Sequence, residues 1–128
     1  TSLIPTPLGV LGLMHDQEGL IPEVARGLML NGAELLIWVD REKREKGELV
    51  ARSRAAENKV FLIRGGSREK EDYSMILGPN GNILASTMVG VEQAATALIV
   101  TALSRSKTVV PGTNAVTTRI PEIYKELI

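Results

Sequence analysis

The chain has 128 residues, no cysteine, fifteen basic against fifteen acidic side chains, and only 3% aromatics. Neutrality removes the electrostatic case for nucleic acid or an anionic membrane surface, scarce aromatics argue against stacking on bases, and the lack of thiols excludes disulfides and thiolate metal sites. There is no signal-peptide pattern and no apolar run long enough to span a bilayer, so one soluble domain over residues 1–128 is expected, in a reducing, cytoplasmic setting.

Residues 8–15 form a nearly continuous apolar run, which predicts a strand covered on both faces. Helix signals follow at once. Pro22 suits a helix start because its missing N–H is not needed there, Glu23 favours the first turn, and Ile21, Val24, Ala25, Leu28 and Met29 recur at helical spacing. Asn31 and Gly32 tolerate the left-handed backbone that ends a helix. Residues 34–39 read as a second buried strand, so the unit is strand–helix–strand with parallel pairing.

Between strand and helix stand His15, Asp16 and Glu18. The sharper reading makes them a metal or acid–base group. Consecutive strand residues point to opposite faces, so His15 and Asp16 are expected to diverge, and the plainer reading has Asp16 hydrogen-bonded within the turn.

Residues 40–48 are a dense charge run of mixed sign, expected to be a solvated loop leading into an exposed helical turn. The helix over residues 48–59 is expected to pack through Leu49, Val50, the stem of Arg52, Ala55 and Ala56, with Asn58 taking a left-handed turn before a strand at residues 60–63. A charged loop runs from Gly65-Gly66 through Asp72. Residues 74–85 carry the clearest hairpin signal, two apolar runs around Asn80-Gly81, and predict a type I′ turn. The alternation of residues 92–103 predicts a further strand.

Several of these segments resemble the nitrilase, or carbon–nitrogen hydrolase, family. Gly12, Glu18, Pro22, Glu23 and Arg26 match its G-x-x-[IL]-C-x-[DE]-x-x-[FW]-P-E-x-x-R elbow. Arg54, Ala55, Glu57 and Asn58 match its R-A-x-E-N, and Ser74, Ile76, Pro79, Gly81, Leu84 and Ala85 its hairpin. Residues 119–124 are similar to its R-R-P-E-x-Y tail. The likeness runs from Leu8 to Tyr124 and places the family's nucleophilic cysteine on Asp16.

The resemblance implies an α/β fold, the C-terminal half of the α-β-β-α sandwich: a mixed sheet of about six strands with two main helices on one face. It also implies a thiolate nucleophile held at a helix start, a glutamate base and a lysine upstream, and a backbone N–H at Gln17 in the oxyanion position. Asp16 replaces the cysteine and the upstream pair has no counterpart, so this chain alone is expected not to run the family reaction. Glu18, Pro22, Glu23, Arg26 and Glu57 are expected to brace the elbow, with Glu23, Arg26 and Glu57 as a buried ion-pair network. Neither cofactor nor metal is implied. The expected role is a catalytically degenerate domain for assembly, regulation or small-ligand binding. The alternative is a part or subunit of an amidase or nitrilase whose Glu and Lys come from another segment. Nothing in the sequence covers the second sheet face, which predicts a homodimer through it, or a separate first-half polypeptide.

Overall fold

In the computed structural model, which describes residues 2–42, 44–67 and 72–127, one six-stranded mixed sheet carries the chain. Its strands are β1 (Ser2–Thr6), β2 (Gly9–His15), β3 (Leu35–Val39), β4 (Phe61–Gly65), β5 (Met75–Leu77) and β6 (Ile83–Ser86), in that spatial order. The pairs β2·β3 and β3·β4 are parallel and the other three antiparallel. Two helices, α1 (Pro22–Leu30) and α2 (Gly47–Asn58), supply the parallel crossovers.

Helices and sheet meet on one face only. Register puts Met14, Trp38, Arg64 and Met75 in one row across the sheet, and Gly12, Leu36, Leu62 and Leu77 in the next. Met14, Leu36, Trp38, Leu62, Met75 and Leu77 form one core with Ala25, Leu28 and Met29 of α1 and Ala51 and Ala55 of α2. The alternate row, Leu13, Ile37, Ile63, Ile76 and Ala85, faces the other way and is half-buried. The apolar run of β2 is therefore sealed on one side, not two, because the described residues place no layer of helices on the second side.

Strand β1, exposed along most of its length, is an addition that two prolines hid from the sequence pattern. The greater correction concerns residues 91–100, which make no sheet ladder. They are followed by a short 3₁₀ turn at Thr101–Arg105 and a small hairpin, β7 (Thr108–Val110) and β8 (Thr113–Asn114), before a last 3₁₀ segment, Pro121–Leu127. Alternation predicts a strand but cannot supply a neighbouring one.

Helix α2 is rotated from its expected setting. Leu49 is 63% exposed, whereas Arg54 and Asn58 are buried. Asn58 stays inside the helix and donates to Arg54 O at 2.9 Å; the left-handed residue is Lys59, at φ +52°. Between β5 and β6 only Gly81 has positive φ, so the predicted type I′ geometry does not form. Gly78 O instead accepts from Gly81 N, a four-residue turn with Pro79 in second place. A side chain at Gly81 would also strike Arg52 O at 2.8 Å. Most of the charged loop after Gly66, residues 68–71, lies outside the described residues. Among the described residues, no helix is long and apolar enough to cross a membrane.

Candidate functional site

Strand β2 ends at His15 and the chain turns sharply into a 3₁₀ segment, Asp16–Leu20, before α1 begins at Pro22. Asp16 makes the turn at φ +46°, a left-handed conformation that costs a residue with a Cβ of order 1 kcal/mol or more. The surroundings hold it there. Its carbonyl accepts the Trp38 indole N–H at 2.9 Å, and Gly19 lies so close over the same ring that a Cβ would approach it to 2.1 Å. From α2, the Arg54 guanidinium donates to Gly19 O at 3.1 Å and Leu20 O at 3.0 Å. These contacts satisfy carbonyls that the short turn leaves without helical partners.

The Asp16 carboxylate is fully engaged. Arg41 donates its backbone N–H to Oδ1 at 3.1 Å and its side chain to both oxygens, with Nε–Oδ2 at 3.0 Å and a close Nη2–Oδ2 contact. The Arg41 side-chain hydrogen bonds hold the Asp16 carboxyl at about 2, well below the usual carboxylate range. Arg41 itself is 80% exposed, so the pair sits at the surface like a bar across the elbow.

His15 turns elsewhere. Its backbone N–H donates to Glu18 Oε2 at 3.0 Å, and its ring lies 3.8 Å from the same oxygen. Glu18 thereby caps the turn in the reciprocal manner of a capping box. His15, Asp16 and Glu18 do not converge as three ligands, and no such group occurs among the described residues. Gln17, at the position that the family resemblance assigns to an oxyanion donor, is exposed.

The expected bracing network is wired differently. Glu23 is exposed, with no hydrogen bond or ion pair among the described residues. Arg26 donates to two main-chain carbonyls, Glu57 O at 2.9 Å and Ala115 O at 2.8 Å. The Glu57 carboxylate instead receives Arg54 at 2.9 Å. A groove of about 670 Å³ runs beside Arg26 between α1 and the C-terminal segment, lined also by Leu30, Arg119 and Tyr124, but Asp16 has no part in it.

Below the elbow, the charge run departs from the expected solvated loop. Asp40 is 2% exposed and Arg64, in the middle of an apolar strand, 1%. Arg64 donates to Asp40 Oδ2 at 3.0 Å and to Asp72 Oδ1 at 3.2 Å, and lies 5.4 Å from the Trp38 ring centroid. Arg44 closes the group on Asp40 at 3.0 Å. Two acids and two bases thus neutralise one another where bare charge would be prohibitive. The sequence signal for this group was Arg64 itself, since an arginine inside Phe-Leu-Ile-Arg-Gly demands buried counter-charge.

A carbon–nitrogen hydrolase family model matches residues 1–108. The chain is similar to a protein named probable nitrilase in Schizosaccharomyces pombe, at 36% identity over 64% of this chain and 34% of that protein. Among solved structures it resembles Nit3 of Saccharomyces cerevisiae, a nitrilase-superfamily member: 26% identity, TM-score 0.68, 81% of this chain and 43% of that one. A carbon–nitrogen hydrolase from Helicobacter pylori superposes with TM-score 0.81 at 24% identity, over 98% of this chain and 51% of the other. The chain therefore spans between a third and a half of the length of these relatives.

Proposed function

We propose that this chain, which belongs to the carbon–nitrogen hydrolase family, does not itself catalyse carbon–nitrogen bond hydrolysis and instead serves assembly, regulation or small-ligand binding. The observation that carries this reading is the state of Asp16. A carboxylate nucleophile is already ionised, but it needs an oxygen free to approach the substrate carbon. Asp16 offers none, because Arg41 occupies both of its oxygens. Its carboxylate is stabilised as an anion, which makes it a weaker base and a weaker nucleophile. Association supplies the positive side of the reading. The half-buried row Leu13, Ile37, Ile63 and Ile76 gains by being covered, either by a second copy in a homodimer or by a separate first-half polypeptide.

One observation favours a second reading, a part or subunit of an amidase- or nitrilase-type hydrolase whose Glu and Lys come from another segment. The elbow keeps its left-handed backbone at Asp16, and strain of this kind tends to persist where chemistry needs it.

The two readings separate when a first-half polypeptide carrying the family Glu and Lys is supplied. Amidase activity is measured with and without it on the natural chain, on Asp16→Cys, and on Asp16→Cys combined with Arg41→Ala. Inactivity of the natural chain in both conditions supports the non-catalytic role. Hydrolysis by the natural chain once that polypeptide is present overturns it and supports the second reading.

A further inference from the structure

Residues 93–100 form no helix, turn or ladder and end at an extended Val100, and among the described residues none of their N–H groups finds a protein partner; only the last carbonyl, Val100 O, accepts a hydrogen bond, from Leu103 N. The side chains alternate as in a strand. Ala95, Ala97 and Ile99 turn inward and are half-buried, whereas Ala94, Thr96, Leu98 and Val100 are exposed, Leu98 at 93%. No charged residue occurs from Gln93 to Ser104. The segment hangs between two fixed points. Thr87 N is bonded to Ser74 O at one end of the sheet, and Thr101 Oγ1 to Leu8 O, beside the start of β2, at the other. An uncharged run with alternating exposure and idle backbone groups is a template for another strand.

We propose that residues 94–100 pair with the same segment of a second copy as an antiparallel ladder whose two-fold axis passes through Ala97. The inference rests on the reading that this chain works by association, and names the contact. Antiparallel partners share a face, so a two-fold centred on a residue sets inward side chains against inward ones and outward against outward. Centred on Ala97, the pairs are Ala94 with Val100, Ala95 with Ile99, and Thr96 with Leu98, a smaller side chain opposite a larger one each time. Glu92 falls opposite Ala102, so like charges do not meet. A centre at Thr96 sets Val100 against Glu92, and one at Leu98 sets Ala94 against Ala102, beyond that run. The sequence itself therefore selects one register.

The absence of native cysteine makes the register directly readable. In the Ala97→Cys variant the two Cα atoms face each other at about 4.5–5.5 Å, within disulfide reach. In Ala94→Cys they are six residues apart along the ladder, about 20 Å, and cannot join. Under mild oxidation, Ala97→Cys is expected to become a covalent dimer and Ala94→Cys to remain single chains on a non-reducing gel. Equal cross-linking in both, or none in Ala97→Cys, overturns the register.

A second measurement separates this ladder from the sheet-face reading. Alternate N–H groups of a strand point toward its partner, so one of Thr96→Pro and Ala97→Pro must remove a ladder donor. Masses of both are compared with that of Ile63→Glu on the open face, with circular dichroism confirming the fold of each. Loss of the dimer in at least one proline variant supports the ladder. A dimer that survives both prolines but not Ile63→Glu overturns the ladder and leaves the face reading standing. A natural chain that is monomeric throughout overturns both.

Discussion

On the helix-covered face of the sheet, Met14, Trp38, Arg64 and Met75 form a row that is sealed from solvent. One residue along each strand, Leu13, Ile37, Ile63 and Ile76 form the neighbouring row, and they are only half-buried. Both rows are strongly apolar, yet they differ in one chemical respect. The sealed row contains a charge, Arg64, and the open row contains none. Loops of this chain reach the sealed side with Asp40 and Asp72 and complete the ionic group there. An ion on the open row would have to be matched by whatever covers it. The contrast teaches that side-chain polarity in these strands follows which cover the chain can itself provide.

The sharpest way to break the sealed side is to remove its charge. Arg64→Ala leaves Asp40 and Asp72 buried without their main partner, and should cost about 3–5 kcal/mol in urea unfolding. Leu62→Ala opens a cavity beneath the helices and is expected to cost about 2–5 kcal/mol, checked in the same way. On the open row, Ile63→Thr should change the stability of the isolated chain by about 1 kcal/mol or less. Its effect on the association constant, read by sedimentation equilibrium, should also be small if copies join through residues 94–100, and large only if they join through the open face. A large loss of monomer stability would show that the open row is better covered than its exposure indicates.

The smallest expected effect concerns the surface pair at the elbow. Asp16 is held at about 2, below its ordinary 3.8, so its stabilising contribution is complete above the usual carboxylate range and disappears as pH falls through about 2. An NMR titration of its side-chain carbonyl carbon should show that midpoint, moving upward in Arg41→Ala. An unchanged midpoint would mean that Arg41 does not lock the carboxylate in solution.

The segment from β2 through the elbow and α1 to β3 was legible because its periods are unambiguous and its Pro22 and Gly32 punctuate it. Hydrophobic alternation was a poorer guide at residues 91–100, since it reports what a strand prefers to face and not whether a neighbour exists. Charge was poorer still. Asp40 and Asp72 look like loop residues in a polar stretch, and only Arg64 inside β4 betrays their burial. Nothing in the sequence marks Arg41, because its role depends on a left-handed turn 25 residues earlier that brings Asp16 back across the strand ends. Helix α2 departs from its apolar pattern for a related reason. Its buried face carries Arg54 and Asn58, which bond to main-chain carbonyls, so the polar residues there serve the packed side and Leu49 is left outside.

The outermost strand has a consequence of its own. β1 borders the sheet and contains Pro5, which offers no N–H to a neighbour. A ladder cannot run uninterrupted past that edge. Edge-to-edge addition of another strand is therefore hindered on that side.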